Sequence, residues 1–202
     1  MSNQSPHNLV FASHNEGKFN EMQLLFKDTP IEISFLKALG APDIPETGLS
    51  FHENALIKAR AAAKHTGKPA FGDDSGLCIH AFNNEPGIYS ARYLGDYTSY
   101  HDKMQQIIDN MNGIDNRDAD FVCVIAYVKH ADDQWPRFYE GVWKGRIHDK
   151  MEGTYGFGYE PFFVDSASNR CAGTMTPSEK LLYSHRRQAI NKFIKDLIEP
   201  SL

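Results

Sequence analysis

The N-terminal part of the sequence alternates between short apolar segments and an amphipathic one, and this order restricts the chain to folds built from strand–helix units. Residues 8–12 (Asn-Leu-Val-Phe-Ala) are typical of a buried strand. After a polar stretch, the apolar residues within 19–26 recur three and four positions apart, which predicts a helix. A second strand is predicted over 31–36. Together with paired strands predicted further along, the pattern favours an α/β fold with a mixed sheet.

The later elements follow from the same patterns of apolar and turn residues. A helix is predicted over 50–65, with Phe51, Ala55 and Ala59 on its apolar face. Residues 71–82 are predicted to form a strand that is interrupted early by a turn at Asp73-Asp74-Ser75-Gly76. The other predicted elements are a helix over 99–111, strands over 121–128, 138–147 and 162–164, a loop rich in glycine and aromatic residues over 153–161, and a final helix from Ser184. No repeat or linker-like tract separates them, so residues 1–202 are expected to form a single domain without a clean internal boundary.

Charge and composition exclude several classes of protein. The formal net charge of −5 and a pI near 6.0 argue against a general nucleic-acid-binding surface, which would be basic. No apolar stretch approaches the roughly 20 residues that a membrane-spanning helix needs, and residues 1–7 lack the pattern of a secretory signal. Cys78, Cys123 and Cys171 are far apart and odd in number, which indicates a reducing compartment. We therefore expect a cytoplasmic protein that binds neither nucleic acid nor membrane.

The junction between the first strand and the first helix is a candidate phosphate site. Its residues are Ser13, His14, Asn15, Glu16, Gly17 and Lys18. A helix N-terminus presents free N–H groups and the positive end of the helix dipole, which suit a phosphate. Gly17 permits close approach of an anion, and Lys18 adds positive charge. The alternative is an ordinary helix start in which Asn15 caps the first turn.

Lys58 lies at the border of the apolar face of the helix predicted over 50–65. A lysine directed toward the core carries a desolvation cost unless an anion meets it. Lys58 is therefore a candidate ligand for phosphate. The alternative is that its side chain extends along the apolar surface and reaches solvent.

Three carboxylates form a candidate metal and catalytic centre: Asp73 and Asp74 in the predicted turn, and Glu46 in the loop before the second helix. Such oxygen ligands fit Mg²⁺, which proteins hold with one or two carboxylates plus substrate phosphates. Adjacent residues of a strand face opposite ways, so Asp73 and Asp74 share one site only if the backbone turns there. The alternative is a surface turn, which the flanking apolar residues Phe71 and Leu77 disfavour.

A second group of candidate residues is basic and aromatic. Lys180, His185 and Arg186 lie around the start of the final helix, where cations oppose the helix dipole and therefore indicate a bound anion or polar ring. The segment Gly156-Phe157-Gly158-Tyr159 offers an aromatic face on which a base can stack. The alternative for this segment is a plain hairpin turn with packed aromatic side chains.

Seven short segments occur in a fixed order along the chain. They are residues 13–18 (Ser-His-Asn-Glu-Gly-Lys), 46–48 (Glu-Thr-Gly), 51–59 with Phe51, Glu53, Asn54, Ala55, Lys58 and Ala59, 73–77 (Asp-Asp-Ser-Gly-Leu), 86–92 (Pro-Gly-Ile-Tyr-Ser-Ala-Arg), 156–161 (Gly-Phe-Gly-Tyr-Glu-Pro) and 184–186 (Ser-His-Arg). Each segment alone is unspecific. As an ordered set they resemble the inosine triphosphate pyrophosphatase family, the non-canonical purine nucleoside triphosphate pyrophosphatases.

The resemblance implies a fold and a reaction. The fold is an elongated mixed β-sheet with helices on both sides, forming two lobes around a central cleft, and the assembly is a homodimer. The reaction is the Mg²⁺-dependent hydrolysis of ITP, dITP or XTP to the monophosphate and pyrophosphate, which cleanses the nucleotide pool.

The resemblance also implies roles for the candidate residues. Residues 13–18 and Lys58 would bind the triphosphate, and Ser75 would contact the substrate. Glu46 and Asp74 would hold Mg²⁺, with Asp74 as the proton acceptor and Asp73 assisting. The base pocket would consist of Phe157, Gly158, Tyr159, Glu160, Lys180, His185 and Arg186, with Phe157 stacked on the base.

Four positions depart from the family pattern. His14 stands where glycine is usual, and Glu160 replaces an aspartate. Tyr155 and Arg187 each occupy a position where glycine is common. These differences bear on base preference rather than on phosphate chemistry.

Three other functions remain open at this point. The first is a Maf-like nucleotide pyrophosphatase with a different base preference. The second is a non-catalytic nucleotide-binding module, which the intact carboxylates and Lys58 argue against. The third is an interaction protein whose aromatic segment 86–97 is a dimer surface, which would leave Lys180 and Arg186 unexplained.

Overall fold

The structure is a computed structural model that describes residues 7–95 and 97–199. The sequence pattern of residues 1–7 predicts that they are not a secretory signal, but residues 1–6 lie outside the described residues. Asp96, in the aromatic segment 86–97, also lies outside them. The described chain forms two compact units. The first comprises residues 7–74, 124–140 and 189–199, and the second comprises residues 75–123 and 141–188.

The described residues form helices and strands in mixed order. The helices are α1 (Glu16–Phe26), α2 (Phe51–Thr66), α3 (Tyr100–Asn110), α4 (Pro177–Lys180) and α5 (His185–Ile198). The strands are β1 (His7–Phe11), β2 (Ile31–Phe35), β3 (Ala70–Ile79), β4 (Glu85–Pro86), β5 (Asp118–Val128), β6 (Arg137–Ile147) and β7 (Phe163–Asp165). They form a seven-stranded sheet in the order β2-β1-β3-β5-β6-β7, with β4 paired to β3. β1 is parallel to β2 and β3, whereas β4 is antiparallel to β3 and β7 to β6. The predicted α/β fold with a mixed sheet is confirmed, and the two-lobed cleft stays a prediction.

In the first unit, the parallel pairing of β1 with β3 determines which residues meet. Phe11 at the end of β1 is in register with Phe71 of β3, and their rings stack at 5.1 Å between centroids. Phe26 of α1 and Phe193 of α5 pack on Phe71 at 5.7 and 5.2 Å. Because parallel strands end at the same edge of a sheet, the junction after β1 lies beside the residues that follow Phe71.

Helix α2 begins and ends close to its predicted bounds because both ends carry strong signals. Ser50 Oγ accepts the N–H of Glu53 at 3.1 Å, and Gly67 adopts a φ of 66° with its N–H donating to the Ala63 carbonyl. The side of α2 that packs on β3 is rich in alanine, and a Cβ added to Gly72 would lie 2.4 Å from the Ala55 carbonyl oxygen. Helix and strand therefore pack backbone against backbone.

In the second unit, large aromatic side chains fill the core. The ring of Phe163 lies 4.5 Å from that of Phe121 and 5.2 Å from that of Trp143, and all three residues are buried. Trp143 Nε1 donates to Asp165 Oδ1 at 2.8 Å, which satisfies the one polar atom of the indole.

The predicted turn at residues 73–76 is wrong, because strand β3 runs without interruption from Ala70 to Ile79. The glycine of the segment is needed for close packing rather than for a turn. A Cβ added to Gly76 would lie 2.2 Å from the carbonyl oxygen of Gly87 and 2.6 Å from Ser90 Oγ. Asp73 and Asp74 therefore follow strand alternation, and they make their contacts with different helices.

Smaller differences concern the ends of elements. The strand predicted over 71–82 ends at Ile79, and β7 begins at Phe163, one residue later than predicted. Lys180 lies in the separate short helix α4, whose start is closed by a capping box between Thr176 and Glu179.

Among residues 7–95 and 97–199, none of the helices combines the length and the apolar character that crossing a bilayer requires.

Candidate active site

Four residues of the first unit, Glu46, Asn54, Lys58 and Asp74, form a contiguous polar group that we call the Lys58 cluster. Lys58 Nζ donates to Glu46 Oε1 at 2.5 Å and to Asp74 Oδ1 at 3.3 Å. Lys58 is 7% exposed and Asp74 is 3% exposed. The alternative in which Lys58 extends to solvent is therefore wrong, and a buried ammonium is held between two carboxylates.

Burial and charge act in opposite directions on this pair. Burial raises the pKa of Asp74 above its ordinary value, and the nearby Lys58 and Lys18 only partly offset that effect. Burial alone would lower the pKa of Lys58, but the carboxylates of Asp74, Asp73 and Glu46 outweigh it and raise the pKa. Lys58 therefore stays a cation at neutral pH, and Asp74 holds a proton more readily than an exposed aspartate.

Asn54 fixes the orientation of Asp74. Its Nδ2 donates to Asp74 Oδ2 at 3.1 Å, and its Oδ1 accepts the N–H of Gly48 at 2.8 Å. The side chain is fully buried. Because both the amide nitrogen and the amide oxygen of Asn54 are hydrogen-bonded, this residue connects Asp74 to the loop that contains Glu46.

The junction after β1 has the geometry of a capped helix start. Asn15 Oδ1 accepts the N–H of Lys18 at 3.0 Å, so the capping interaction that was one alternative for this segment is present. The Lys18 ammonium lies 2.8 Å from Asp73 Oδ1. Asn15, Glu16 and Gly17 are exposed, so the cap leaves this helix start open to solvent, and the phosphate site stays a prediction.

Two residues of the junction make contacts with the segment that follows β2. His14 Nε2 lies 2.9 Å from the Ala41 carbonyl oxygen, and its Nδ1 lies 3.4 Å from Asp43 Oδ1. Glu16 pairs with Lys37 at 2.6 Å, and the hydrogen bond from Lys37 lowers the pKa of Glu16. Glu16 thus pairs with a neighbouring lysine at the surface.

The residues of the Lys58 cluster are chemically suited to Mg²⁺. Glu46 and Asp74 approach the same ammonium, so both carboxylates face one position for a cation. Within the part of the chain that the structure describes, no three His, Cys, Asp or Glu side chains are grouped closely enough to hold a metal by themselves. Proteins usually bind Mg²⁺ with one or two carboxylates together with substrate phosphates, and a Mg²⁺ site here stays a prediction.

The second unit contains the aromatic loop, residues 156–160, with its basic neighbours. Lys180 Nζ contacts both carboxylate oxygens of Glu160, at 2.9 and 3.0 Å, and Glu160 Oε2 accepts the N–H of Phe157 at 3.1 Å. A Cβ added to Gly156 would lie 1.5 Å from Glu160 Oε2, so the longer acid occupies the space beside this glycine. Glu160 therefore fixes both the loop backbone and Lys180.

The rings and cations around Phe157 form a polar aromatic surface. Phe157 is 38% exposed, with Lys180 Nζ 5.4 Å and Arg186 Cζ 5.9 Å from its ring centroid. Arg186 also donates to Ser75 Oγ at 3.0 Å. His185 is buried and stacks at 5.1 Å on Phe121, so its ring is part of the core packing.

Tyr159 and Gly158 complete the aromatic loop. Tyr159 is 3% exposed, and its hydroxyl donates to the carbonyl oxygen of Ser90 at 2.9 Å. Burial raises the pKa of Tyr159, so the hydroxyl keeps its proton and acts as a donor. Gly158 adopts a φ of 68°, which favours glycine.

Comparison with known proteins identifies the family. The Ham1 family model matches residues 9–196. The chain belongs to the Ham1 family. Its relatives include a dITP/XTP pyrophosphatase of Acinetobacter baylyi, 41% identical over 196 residues, which cover 94% of this chain and 93% of the relative. A dITP/XTP pyrophosphatase of Coxiella burnetii is 42% identical over 196 residues, covering 96% and 98%. The family resemblance predicted from the sequence is confirmed.

Solved Ham1 structures have the same fold. A HAM1 protein from Coxiella burnetii matches with a TM-score of 0.89 at 42% identity, covering 95% of this chain and 98% of its own. The Staphylococcus aureus Ham1 protein matches with a TM-score of 0.85 at 35% identity, covering 96% and 100%. The arrangement of strands and helices described above is therefore that of the Ham1 fold.

The structure adds Asn54 to the candidate residues derived from the sequence. The sequence did contain a signal for it, because Asn54 and Lys58 are four residues apart and therefore lie on the same face of α2. A polar amide on a face that otherwise packs against a strand needs a buried partner. Asp74 is that partner.

Proposed function

We propose that this protein hydrolyses the non-canonical purine nucleoside triphosphates dITP, ITP and XTP to the monophosphate and pyrophosphate. The Lys58 cluster carries the proposal, because a buried ammonium between two carboxylates provides cationic and metal-binding groups at one point. The relatives, named dITP/XTP pyrophosphatases, support this substrate class over a Maf-like base preference or a non-catalytic module.

The first unit binds the triphosphate. Lys18 and Lys58 each pair with a carboxylate in the structure, and phosphate oxygens replace part of those contacts when substrate binds. The exposed N-terminus of α1 at residues 15–17 adds N–H donors and the helix dipole. Phosphoryl transfer depends mostly on such positioning and charge stabilisation.

Glu46 and Asp74 would hold Mg²⁺, which would supply positive charge to the phosphates. Lys58 lies between the same two carboxylates, where its ammonium can pair with phosphate oxygens. Asn54 keeps Asp74 in place by donating to its second oxygen.

Asp74 accepts the proton of the attacking water, and Asp73 assists by holding Lys18. Lys18 lies 2.8 Å from Asp73, a closer ion pair than the 3.3 Å between Lys58 and Asp74. Burial raises the pKa of Asp74, which suits a proton acceptor. General base catalysis of this kind contributes about 10²- to 10⁴-fold in rate.

The second unit recognises the base. Phe157 has the exposed ring on which a purine stacks, and Lys180 and Arg186 supply donors beside it. Donors at that position favour the 6-oxo acceptor of hypoxanthine or xanthine over the 6-amino group of adenine. Guanine also has a 6-oxo group, so its rejection depends on its 2-amino group or on the shape of the pocket.

A panel of nucleoside triphosphates tests the proposal. Purified protein is incubated with ITP, dITP, XTP, GTP and ATP, with Mg²⁺ or with a chelator, and pyrophosphate and orthophosphate are measured separately. Pyrophosphate release from the first three substrates in Mg²⁺ alone is expected, and Asp74→Asn serves as the control for contaminating enzymes. Absence of pyrophosphate from all three, in protein that is folded, overturns the proposal.

The homodimer and the cytoplasmic location belong to the same proposal. Buried cysteine thiols at positions 78, 123 and 171 are compatible with a reducing compartment. Sedimentation analysis of the purified protein measures the assembly, and a monomer at micromolar concentration would contradict the dimer.

A further inference from the structure

Segment 86–92 lies within the part of the chain that the Ham1 family model matches, and it contains none of the proposed binding or catalytic residues. Ser90 is its most constrained residue. It is 7% exposed, its Oγ accepts the N–H of Leu77 at 2.9 Å and donates to the Gly87 carbonyl at 2.6 Å. Its own carbonyl accepts the hydroxyl of Tyr159 at 2.9 Å. One residue thus joins strand β3 to the aromatic loop.

The contact with β3 is as close as two backbones permit. A Cβ on Gly76 would lie 2.2 Å from the Gly87 oxygen and 2.6 Å from Ser90 Oγ. Gly76 directly follows Ser75, whose hydroxyl accepts from Arg186. The position of Ser75 and that of segment 86–92 are therefore coupled through the glycine.

Helix α3 supports the same segment from Lys103. This lysine is 2% exposed, and its ammonium donates to the Ala91 carbonyl at 2.6 Å while lying 5.0 Å from the Tyr100 ring centroid. Tyr100 in turn meets Tyr159 edge to face at 5.1 Å. Its ring also lies beside Gly158, where an added Cβ would be 3.6 Å from Tyr100 Cε1. The aromatic loop and segment 86–92 share one support.

We propose that Ser90 is a positioning residue, which acts through the hydroxyl of Tyr159 to hold the aromatic loop at a fixed distance from Ser75. Tyr159 contributes to base selection through this link and not by touching the base, because it is buried and its hydroxyl is donated to Ser90. Lys103 keeps the link in place from α3. This inference rests on the proposed function, whose base-stacking residue Phe157 lies in the same loop.

The test uses Tyr159→Phe and Ser90→Ala in the full-length protein. The readout is the ratio of kcat/KM for ITP to kcat/KM for ATP. A loss of folded protein lowers both values equally and therefore leaves this ratio unchanged. Tyr159→Phe removes the donor, whereas Ser90→Ala keeps the accepting carbonyl but removes the Oγ contacts with Leu77 and Gly87 that fix its position. We expect the ratio to fall about five-fold in each variant, the effect of about one hydrogen bond. The matched control is Tyr139→Phe, which removes a hydroxyl that donates to Asp196 and should leave the ratio as in the wild type.

The double variant distinguishes a shared link from direct contact. If both residues act through one link, Ser90→Ala combined with Tyr159→Phe lowers the ratio about as much as either alone. A fall equal to the product of the two single effects, or unchanged ratios in the single variants, overturns the proposal.

Hydrogen exchange provides a second measurement that does not depend on activity. Amides of residues 153–160 should exchange about five-fold faster in both single variants than in Tyr139→Phe, because the loop loses its support. Unchanged exchange in this loop also overturns the proposal. If the wild type hydrolyses none of the triphosphates, the proposed function fails, and the exchange experiment still decides whether Ser90 positions the loop.

Discussion

Lys18 and Asp73 form an ion pair at 2.8 Å, and it separates the roles of two adjacent aspartates. Asp73 contacts helix α1 through this lysine, whereas Asp74 contacts Lys58 and Asn54 of helix α2. Strand alternation produces this division, since neighbouring side chains of β3 leave the strand on opposite faces. The two carboxylates are therefore expected to respond differently to the same substitution.

The first prediction concerns Asp74→Asn. The variant should fold normally, because the amide is the same size and Lys58 keeps Glu46 as an ion-pair partner, while kcat for ITP falls by about 10²- to 10⁴-fold. Steady-state kinetics in saturating Mg²⁺ measure this loss. Asp73→Asn is the matched comparison and should mainly raise KM, because it loosens Lys18. An Asp74→Asn enzyme with more than about a tenth of wild-type kcat would contradict the assignment.

A second prediction concerns Phe157→Ala. Loss of the ring should raise KM for ITP by about 5- to 160-fold, since stacking of a base on an aromatic ring contributes about 1–3 kcal/mol. The effect on kcat should be smaller. Tyr155→Ala removes an exposed aromatic residue next to the aromatic loop and serves as the control. A decrease in kcat at unchanged KM would count against stacking.

A third prediction concerns His14. Its ring contacts Ala41 and Asp43, in the segment that leads to Glu46, so it connects the start of α1 to the loop that carries this proposed metal ligand. His14→Ala should raise the Mg²⁺ concentration for half-maximal activity about two- to five-fold and leave kcat at saturating Mg²⁺ nearly unchanged. Metal titrations of activity measure this, with the exposed His101→Ala as control. An identical titration curve for His14→Ala and wild type would refute the role.

A fourth prediction concerns acid stability and Asp165. Burial acts to raise the pKa of Asp165, but hydrogen bonds from Ser168 and Trp143 outweigh it and hold the pKa below its ordinary value. A folded-state pKa below the unfolded value of about 3.9 means that the ionised carboxylate stabilises the fold above about pH 4. That stabilisation is lost as the pH falls through the folded-state pKa.

Asp165→Asn should therefore lower the free energy of unfolding at pH 7 by about 1–3 kcal/mol, with a smaller difference from wild type at about pH 3. Urea unfolding at both pH values measures the two differences. Asp118→Asn, at an exposed position at the start of β5, is the control and should have little effect. A difference that does not change with pH would show that the carboxylate charge is unimportant.

Much of the fold follows from local signals in the sequence. Helix α2 was predicted within a residue at each end because Ser50 and Gly67 mark its termini. The segment at Asp73–Gly76 was mispredicted as a turn because two charges and a glycine in a row are typical of turns. The charges are instead matched by lysines distant in sequence, and the glycine permits a close backbone contact. Neither the lysine partners nor the close backbone contact can be predicted from the residues next to this segment in the sequence.

The candidate site was predictable to a similar degree. Lys58 was singled out because a lysine near an apolar face needs an anion, and its two carboxylate partners are now identified as Glu46 and Asp74. Ser90 and Lys103 were not singled out. A serine in a loop carries no pattern of its own, whereas Lys103 lies four residues before the buried Ile107 on the apolar face of α3, the kind of signal that indicated Lys58. Their importance comes from contacts with residues 12 or more positions away.

Gly72 and Gly76 carry no functional group, yet they flank the two aspartates and each presses against the backbone of another segment. In a saturation mutagenesis experiment, these two positions should tolerate as few replacements as Asp74. Even alanine would force α2 or the loop before Ser90 to move, and the carboxylates would move with them. A mutant library in which only the charged residues are kept constant would therefore lose activity through substitutions at Gly72 and Gly76, which do not contact the substrate.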